Sequence, residues 1–276
     1  MEIGKPSRTA MAVARARAQH QRADEPRVFT DPFAIPLVGE AALGEGEFDR
    51  GLDADLVRRR RLWIAARSRF ADDTVADAVA SGCRQVVVLG AGLDTSALRN
   101  THPDVRFFEV DHPDTQQWKR RRLAEAGIAV PSTLTFVPVD FETGTLAEGL
   151  AAAGFGRARP TVFVMLGVAM YLTRPSLHAT WRYVAAQGSG SALVMDYLHP
   201  AAPASAAALD ERAKRAAAAG EPWLSSFTAD ELRAELTACG FTTVEDHRAA
   251  DVLGGYLGRT ITDSTGSGHL VRAVIA

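Results

Sequence analysis

Along the first eighty residues, apolar positions recur at helical spacing. Ala10–Gln21 is rich in alanine, arginine and glutamine, all good helix formers, and Asp53–Val79 sets apolar against charged residues with the same period. Thr30-Asp31-Pro32-Phe33 and the glycines at 39, 44 and 46 mark turns between them. From residue 84 the pattern changes to short runs rich in β-branched residues. Gln85–Leu89 is an apolar strand ending at Gly90, and Val105–Val110, Leu134–Val139, Thr161–Met165 and Ala192–Tyr197 repeat the theme. Helices are expected between them over Pro113–Ala126 and from Pro175 to Ala186, where Gly188 and Gly190 stop the second. Ala201–Gly220 reads as a helical insertion rich in alanine and charge. Thr228, with Glu231 as its capping-box partner, opens a further helix that Gly240 ends, and Phe241–Glu245 and Leu270–Ile275 close the strand series.

Apolar strands alternating with helices predict a doubly wound, mostly parallel, seven-stranded α/β sheet of Rossmann-like type, covered on both faces. The 276 residues suffice for a core with a smaller cap. The expected division is an N-terminal helical cap over 1–80 and a catalytic core over 81–276, with the helical insertion at about 201–226.

Composition narrows the partners. A formal net charge of −2 gives no global basic field, so neither nucleic acid nor an anionic membrane is an expected partner. The local run Arg58–Arg61 lies in a helical pattern and reads as a solvated face. Cys83 and Cys239 stand far apart in no paired motif, which fits a reducing cytosol and argues against a disulfide scaffold or structural zinc. Met1–Gln19 carries Lys5, Arg8, Arg15 and Arg17 without an apolar stretch, so it does not read as a signal peptide. No window approaches the roughly 18 apolar residues of a membrane span. The expectation is a soluble, cytoplasmic protein. The histidines show no ligand spacing, and no metal is expected.

Candidate chemistry begins at Gly90-Ala91-Gly92, at the carboxyl end of the first strand. Glycines there let the chain turn sharply and approach a ligand without a Cβ in the way. The second strand ends in Glu109-Val110-Asp111, close to the spacing at which an acidic group accepts hydrogen bonds from a ribose diol, and both carboxylates are expected to reach solvent. Asp140 closes the third strand, where it can accept from an adenine amine, and Phe141 can pack on the base. A nicotinamide dinucleotide would use a similar loop. Its fingerprint has a third glycine at position 95, which is threonine here, and no Tyr-x-x-x-Lys proton relay occurs.

In order and spacing, several motifs resemble those of the leucine carboxyl methyltransferase-like family of class I S-adenosylmethionine (SAM)-dependent methyltransferases, in its actinobacterial-type branch. They are Gly90-Ala91-Gly92-Leu93-Asp94-Thr95, Phe108-Glu109-Val110-Asp111-His112-Pro113, Val139-Asp140-Phe141-Glu142 and Gly167-Val168-Ala169-Met170-Tyr171-Leu172. Arg15–Ala18, Phe29–Ala34, Arg67-Ser68-Arg69-Phe70 and Gly220-Glu221-Pro222-Trp223 extend the resemblance to both flanks. It implies SAM as cofactor and S-adenosylhomocysteine as product. It also implies that Arg67 holds the methionine carboxylate, Gly90, Ala91 and Gly92 line the methionine portion, Asp111 with Glu109 takes the ribose, and Asp140 with Phe141 takes adenine. The cap would close over the cofactor and shape the acceptor pocket. At position 166, where the family has an acid for the cofactor's amine, this chain has Leu166.

Near the carboxyl ends of the fourth and fifth strands stand Tyr171, Asp196, Tyr197 and His199. Tyr171 and His199 are the candidate catalytic groups, with His199 the candidate base, and Tyr197 and Trp223 are candidate acceptor contacts. A carboxylate acceptor would need no base, being a nucleophile already. The expected activity is methyl transfer to a carboxylate or hydroxyl of a small molecule by a monomer or homodimer, with tailoring of a secondary metabolite as the family analogy. A fold that binds SAM without methylating, for which Leu166 is the motive, and a NAD(P)-linked oxidoreductase stay open as alternatives.

Overall fold

A computed structural model describes residues 7–44, 46–140, 145–200, 206–262 and 268–276. The chain opens with α1 (Arg8–Ala23), the short α2 (Ala34–Val38) and the long α3 (Ala54–Ala80), then enters the sheet at β1 (Gln85–Leu89). α4 (Ser96–Arg99), β2 (Arg106–Asp111), α5 (Pro113–Glu125), β3 (Leu134–Pro138), α6 (Leu146–Ala152) and β4 (Thr161–Met165) follow. After a 3-10 turn at Ala169–Tyr171 come α7 (Arg174–Ala185), β5 (Ala192–Leu198), α8 (Ala206–Ala218), α9 (Ala229–Cys239), β6 (Thr243–Arg248), α10 (Ala249–Leu257) and β7 (Gly268–Val274).

The sheet order is β3-β2-β1-β4-β5-β7-β6, parallel from β3 through β5, with β7 antiparallel to both neighbours. Side chains alternate across the strands. Val87, Leu89, Phe108, Val110, Phe163, Met165, Leu193 and Met195 face α6, α7 and α9, while Val86, Val88, Phe107, Val162, Val164 and Val194 face α3. Every residue of β1 is buried, because it lies between β2 and β4 with helices on both faces. In register, Leu89 pairs with Val110, which brings the loop after β1 beside the end of β2.

Four helices escape the sequence pattern, the single-turn α2 and α4 together with α6 and α10. α6 is short, but its Thr145–Glu148 capping box, with both reciprocal bonds made, was a legible signal. α10 contains Gly254 and Gly255, which oppose helix; it forms against α3, and packing overrides propensity. β6 begins later than expected because Phe241 N–H still bonds back to Leu236, closing α9 at the left-handed Gly240. No helix among the described residues is long and apolar enough to cross a membrane.

Ion pairs fasten the N-terminal segments to one another, and hydrogen bonds tie them to the loop after β1. His20 donates Nδ1–H to Asp24 at 2.9 Å and accepts the Val28 and Phe29 N–H groups at Nε2, so burial holds it neutral. Asp24 takes a two-pronged pair from Arg61 (2.6 and 2.9 Å) and a further contact from Arg58, and Arg60 pairs with Asp49 at 2.5 Å. The arginine run is therefore a clamp on the cap, except at exposed Arg59. Arg17 stands in an ion pair with Asp31 (Nε–Oδ2 2.9 Å) and donates Nη2 to the Leu93 carbonyl, and Thr95 donates to Asp31 at 2.6 Å. The residue at the third-glycine position thus ties the cap to the β1 loop. Thr95→Val is expected to cost about 1–2 kcal/mol and to speed tryptic cleavage within α1, measured by urea midpoint and digestion rate; unchanged digestion would refute the tie.

Candidate functional site

Both loop glycines are left-handed, Gly90 at φ +62° and Gly92 at φ +50°. A Cβ on Gly90 would stand 2.5 Å from Val168 Cγ2, so the loop is pressed against the exit of β4. One on Gly92 would stand 3.2 Å from the Ala10 Cβ, so α1 lies directly on the loop. The Gly92 N–H donates to Asp111 Oδ2 at 2.5 Å, and the His112 N–H donates to Oδ1 at 2.7 Å. Burial raises the Asp111 carboxyl above its ordinary range, and these two amides act the other way. His112 itself caps α5, its Nδ1 accepting from Asp114 N–H.

Glu109 corrects an expectation. It shares a sheet face with Asp111 but lies two residues deeper, and its exposure is 0%. Lys119 Nζ meets Oε2 at 2.6 Å, while Oε1 has no partner. Burial pushes this carboxyl up to about 7 despite the lysine. Glu109 therefore supports the loop from beneath and does not reach solvent. Asp140 lies half-buried at the end of β3, where Val139 N–H bonds the Asp111 carbonyl at 3.0 Å. Phe141 falls outside the described residues.

The other end of the loop carries opposite charges. Arg67, from α3, donates Nη1 to Asp196 Oδ2 at 2.5 Å, and the Gly167 N–H donates to Oδ1 at 2.5 Å. Gly167 is left-handed, and a Cβ there would stand 3.1 Å from Arg67 Nη2. A guanidinium and a carboxylate, both buried, thus stand together at the ends of β4 and β5. Leu166 is half-buried among the α3-facing apolar residues. It lines a cavity of about 150 Å³ shared with Ser68, Asp94, Arg99 and Phe107. The acid at this end is Asp196, which the sequence brings near the ends of the fourth and fifth strands, and pairing it with Arg67 needed the knowledge that β5 lies beside β4.

Over this end sits the segment after α8. Leu224 N–H bonds the Met170 carbonyl at 2.6 Å and Ser225 Oγ bonds that of Ala169 at 2.8 Å, so the Trp223 loop is zipped to the 3-10 turn holding Tyr171. Arg212 of α8 lies over the Trp223 ring at 5.6 Å, a residue that sequence reasoning missed because an alanine-rich helix carries no local code. Burial, then repulsion by Arg60 and later Arg67, brings its guanidinium down to about 10, with Tyr171 opposing. Trp223 therefore lies against Arg212, and the charges of Arg67 and Tyr171 act on it.

Tyr197 and His199 belong elsewhere. Tyr197 is 1% exposed, and its O–H donates to Asp246 Oδ2 at 2.5 Å; burial and that carboxylate push the phenol far up. It is a core residue, which corrects its reading as an acceptor contact. His199 stacks on His269 (centroids 4.7 Å, planes 16° apart), with Nδ1 against its neighbour's carbonyl, and His269 pairs with Asp246 at 2.8 Å. This cluster sits at the β5–β7–β6 edge. Among the described residues no group of three or more His, Cys, Asp or Glu could hold a metal.

A glycine loop after β1, an acid ending β2 and the order 3-2-1-4-5-7-6 define the class I methyltransferase architecture. Residues 10–185 match the family model described as leucine carboxyl methyltransferase. The chain belongs to the leucine carboxyl methyltransferase family, whose members are SAM-dependent methyltransferases. It is 31% identical to YktD of Bacillus subtilis (strain 168), named as a candidate SAM-dependent methyltransferase, over 91% of each chain. A similarly named protein of Saccharopolyspora erythraea is 37% identical, over 67% of this chain and 66% of that one, just under two thirds of the relative. The fold is similar to that of a DUF574 family protein from Streptomyces avermitilis (TM-score 0.60, 16% identity, 95% of this chain and 97% of that one). It is also similar to that of magnesium protoporphyrin IX methyltransferase from Synechocystis PCC 6803, solved with S-adenosylhomocysteine bound (TM-score 0.51, 15% identity, 84% and 90%).

Proposed function

We propose that this chain is a SAM-dependent O-methyltransferase acting on a carboxylate or hydroxyl of a small molecule. The carrying observation is the Asp111 carboxylate, fixed by the Gly92 and His112 amides at one end of the glycine loop, with the Arg67–Asp196 pair at the other. The donor set fits the cofactor: an amino-acid zwitterion needs one cation and one anion, and that end of the site offers both. Arg67 would hold the carboxylate and Asp196 the ammonium, each Asp196 oxygen keeping a lone pair beyond the bonds it makes. Asp111 would take the ribose hydroxyls and Asp140 the adenine amine. When bound, SAM supplies an electrophilic methyl on a sulfonium.

The chain's own contribution is mostly positional. Charge is neutralised as methyl passes to oxygen, so holding the acceptor oxygen in line and excluding water outweigh electrostatic help. α1 on Gly92 and the Trp223 loop on the Tyr171 turn are placed to close over that space. Tailoring of a secondary metabolite rests on family likeness alone.

Calorimetry with S-adenosylhomocysteine and NAD tests the reading. Tight binding of the first and none of the second is expected; strong NAD binding, or binding of neither, would sink it. Asp196→Asn is expected to weaken S-adenosylhomocysteine by roughly 10- to 150-fold, the worth of one charged hydrogen bond. The same variant should leave 5′-methylthioadenosine, which lacks the amino-acid group, unchanged. An equal loss for both ligands would show that Asp196 only shapes the site.

A further inference from the structure

Most arginines around the cofactor loop and the cap have a carboxylate in place. Arg17 has Asp31, Arg60 has Asp49, Arg61 has Asp24, Arg67 has Asp196 and Arg99 has Asp72. Arg212 does not. Among the described residues its guanidinium meets no carboxylate, carbonyl or hydroxyl, and its contact is the Trp223 ring. The Trp223 indole N–H is buried and also lacks an acceptor. Tyr171, within electrostatic reach of Arg212, makes no side-chain hydrogen bond to a described residue. Two donors, Arg212 and Trp223, thus lie against each other with no acceptor among the described residues, and Tyr171 is near enough to act on the cation's charge.

We propose that Arg212, Trp223 and Tyr171 form a subsite for a carboxylate carried by the acceptor, serving as a handle rather than as the methylated group. This rests on the methyltransferase reading above. A half-buried cation flanked by two further arginines is held in an unfavourable field, and a bound anion relieves it. The planar guanidinium fork matches a carboxylate in two prongs, and an indole N–H beside it can donate only. Pairing with a guanidinium draws charge from the carboxylate oxygens and makes them poorer nucleophiles. The atom that receives the methyl is therefore a separate oxygen of the same molecule, a hydroxyl that passes its proton to solvent water, so that its oxyanion takes the methyl and the carbon–sulfur bond breaks to leave S-adenosylhomocysteine. Because α8 and the Trp223 loop form this subsite, the insertion selects the acceptor.

The test titrates the full-length protein, with and without saturating S-adenosylhomocysteine, using 4-hydroxyphenylacetate, its amide, its methyl ester and 4-methoxyphenylacetate at constant ionic strength, read by calorimetry and saturation-transfer NMR. Wild type should bind both free acids at least roughly tenfold more tightly than the amide or ester. Arg212→Gln should bring the acids down to the amide's level with its melting curve unchanged, and Arg212→Lys should keep part of the preference. Trp223→Phe, which keeps a ring and removes the N–H, should weaken the acids several-fold and leave the amide alone. Equal binding of acid and amide, loss of affinity for the methoxy acid alone, full acid affinity in Arg212→Gln, or no acid binding to wild type would overturn the proposal. The cofactor titration is read separately: acid binding that depends on Arg212 in a protein unable to bind S-adenosylhomocysteine keeps the anion site and overturns the methyltransferase reading.

Discussion

Asp111→Ala is expected to remove S-adenosylhomocysteine binding from calorimetric range, a loss of more than roughly a hundredfold. Two hydrogen bonds from ribose hydroxyls to a carboxylate are worth about 1.5–3 kcal/mol each, so their joint removal exceeds two orders of magnitude. A second loss compounds the first. The same carboxylate receives the Gly92 and His112 amides, so the alanine variant frees the loop that should meet the cofactor. Asp111→Asn keeps one acceptor oxygen and the shape, and should fall between. Wild-type affinity in the alanine variant would show that the cofactor lies elsewhere.

Lys119→Met should lower stability by an amount that grows with pH. Lys119 and Glu109 are each 1% exposed or less, and removing one member of such a pair typically costs about 3–5 kcal/mol because the other charge stays buried. Glu109 can escape by taking a proton. Its folded pKa, raised by burial to about 7 from an ordinary 4.5, shows how readily it does so even beside the lysine. A raised carboxyl binds its proton more strongly folded than unfolded. Wild-type stability from this group is therefore highest below the unfolded value and falls by about 3 kcal/mol as pH rises through 7. In Lys119→Met the folded pKa rises further, so the variant should be near wild type at pH 5 and about 1 kcal/mol weaker at pH 8, the gap widening by about 1.4 kcal/mol per further pH unit until that higher value is reached. Urea unfolding at both values measures this, and Glu109→Leu added to Lys119→Met should recover most of the loss. A deficit independent of pH would mean that lost packing, not the stranded carboxylate, is responsible.

The parts of the molecule legible in the sequence were those whose physics is local. The β1 apolar run, the Gly90 turn, the Asp111 position and the Thr228–Glu231 capping box follow from residues within a few positions of one another. Glu109 shows the boundary. Spacing along β2 brought both it and Asp111 into view, but depth in the sheet depends on α5 and Lys119 covering one of them. Tyr197 fails for the same reason at longer range: its partner Asp246 lies on β6, separated in the sheet by β7. The acid opposite Arg67 required the strand order, since Leu166 and Asp196 belong to neighbouring strands separated in sequence by α7. Arg212 was invisible because its meaning comes from what it lacks, and only a folded neighbourhood can show an unpaired donor.

The placement of α1 bears on the order in which the chain can assemble as it is made. Its buried residues are mainly alanines, with Arg17 and His20, too little apolar surface for a core of its own. The carbonyl that Arg17 grips is 76 positions downstream, and the Glu221 carboxylate that Thr9 reaches is 212 positions downstream. At typical synthesis speeds of about 5–20 residues per second, α1 waits on the order of ten seconds or more after its own synthesis for its full set of partners. A chaperone holding nascent chains would find α1 open long after β1 and β2 had paired. The segment that ends up sealing the loop is the one the growing chain must keep out of trouble the longest.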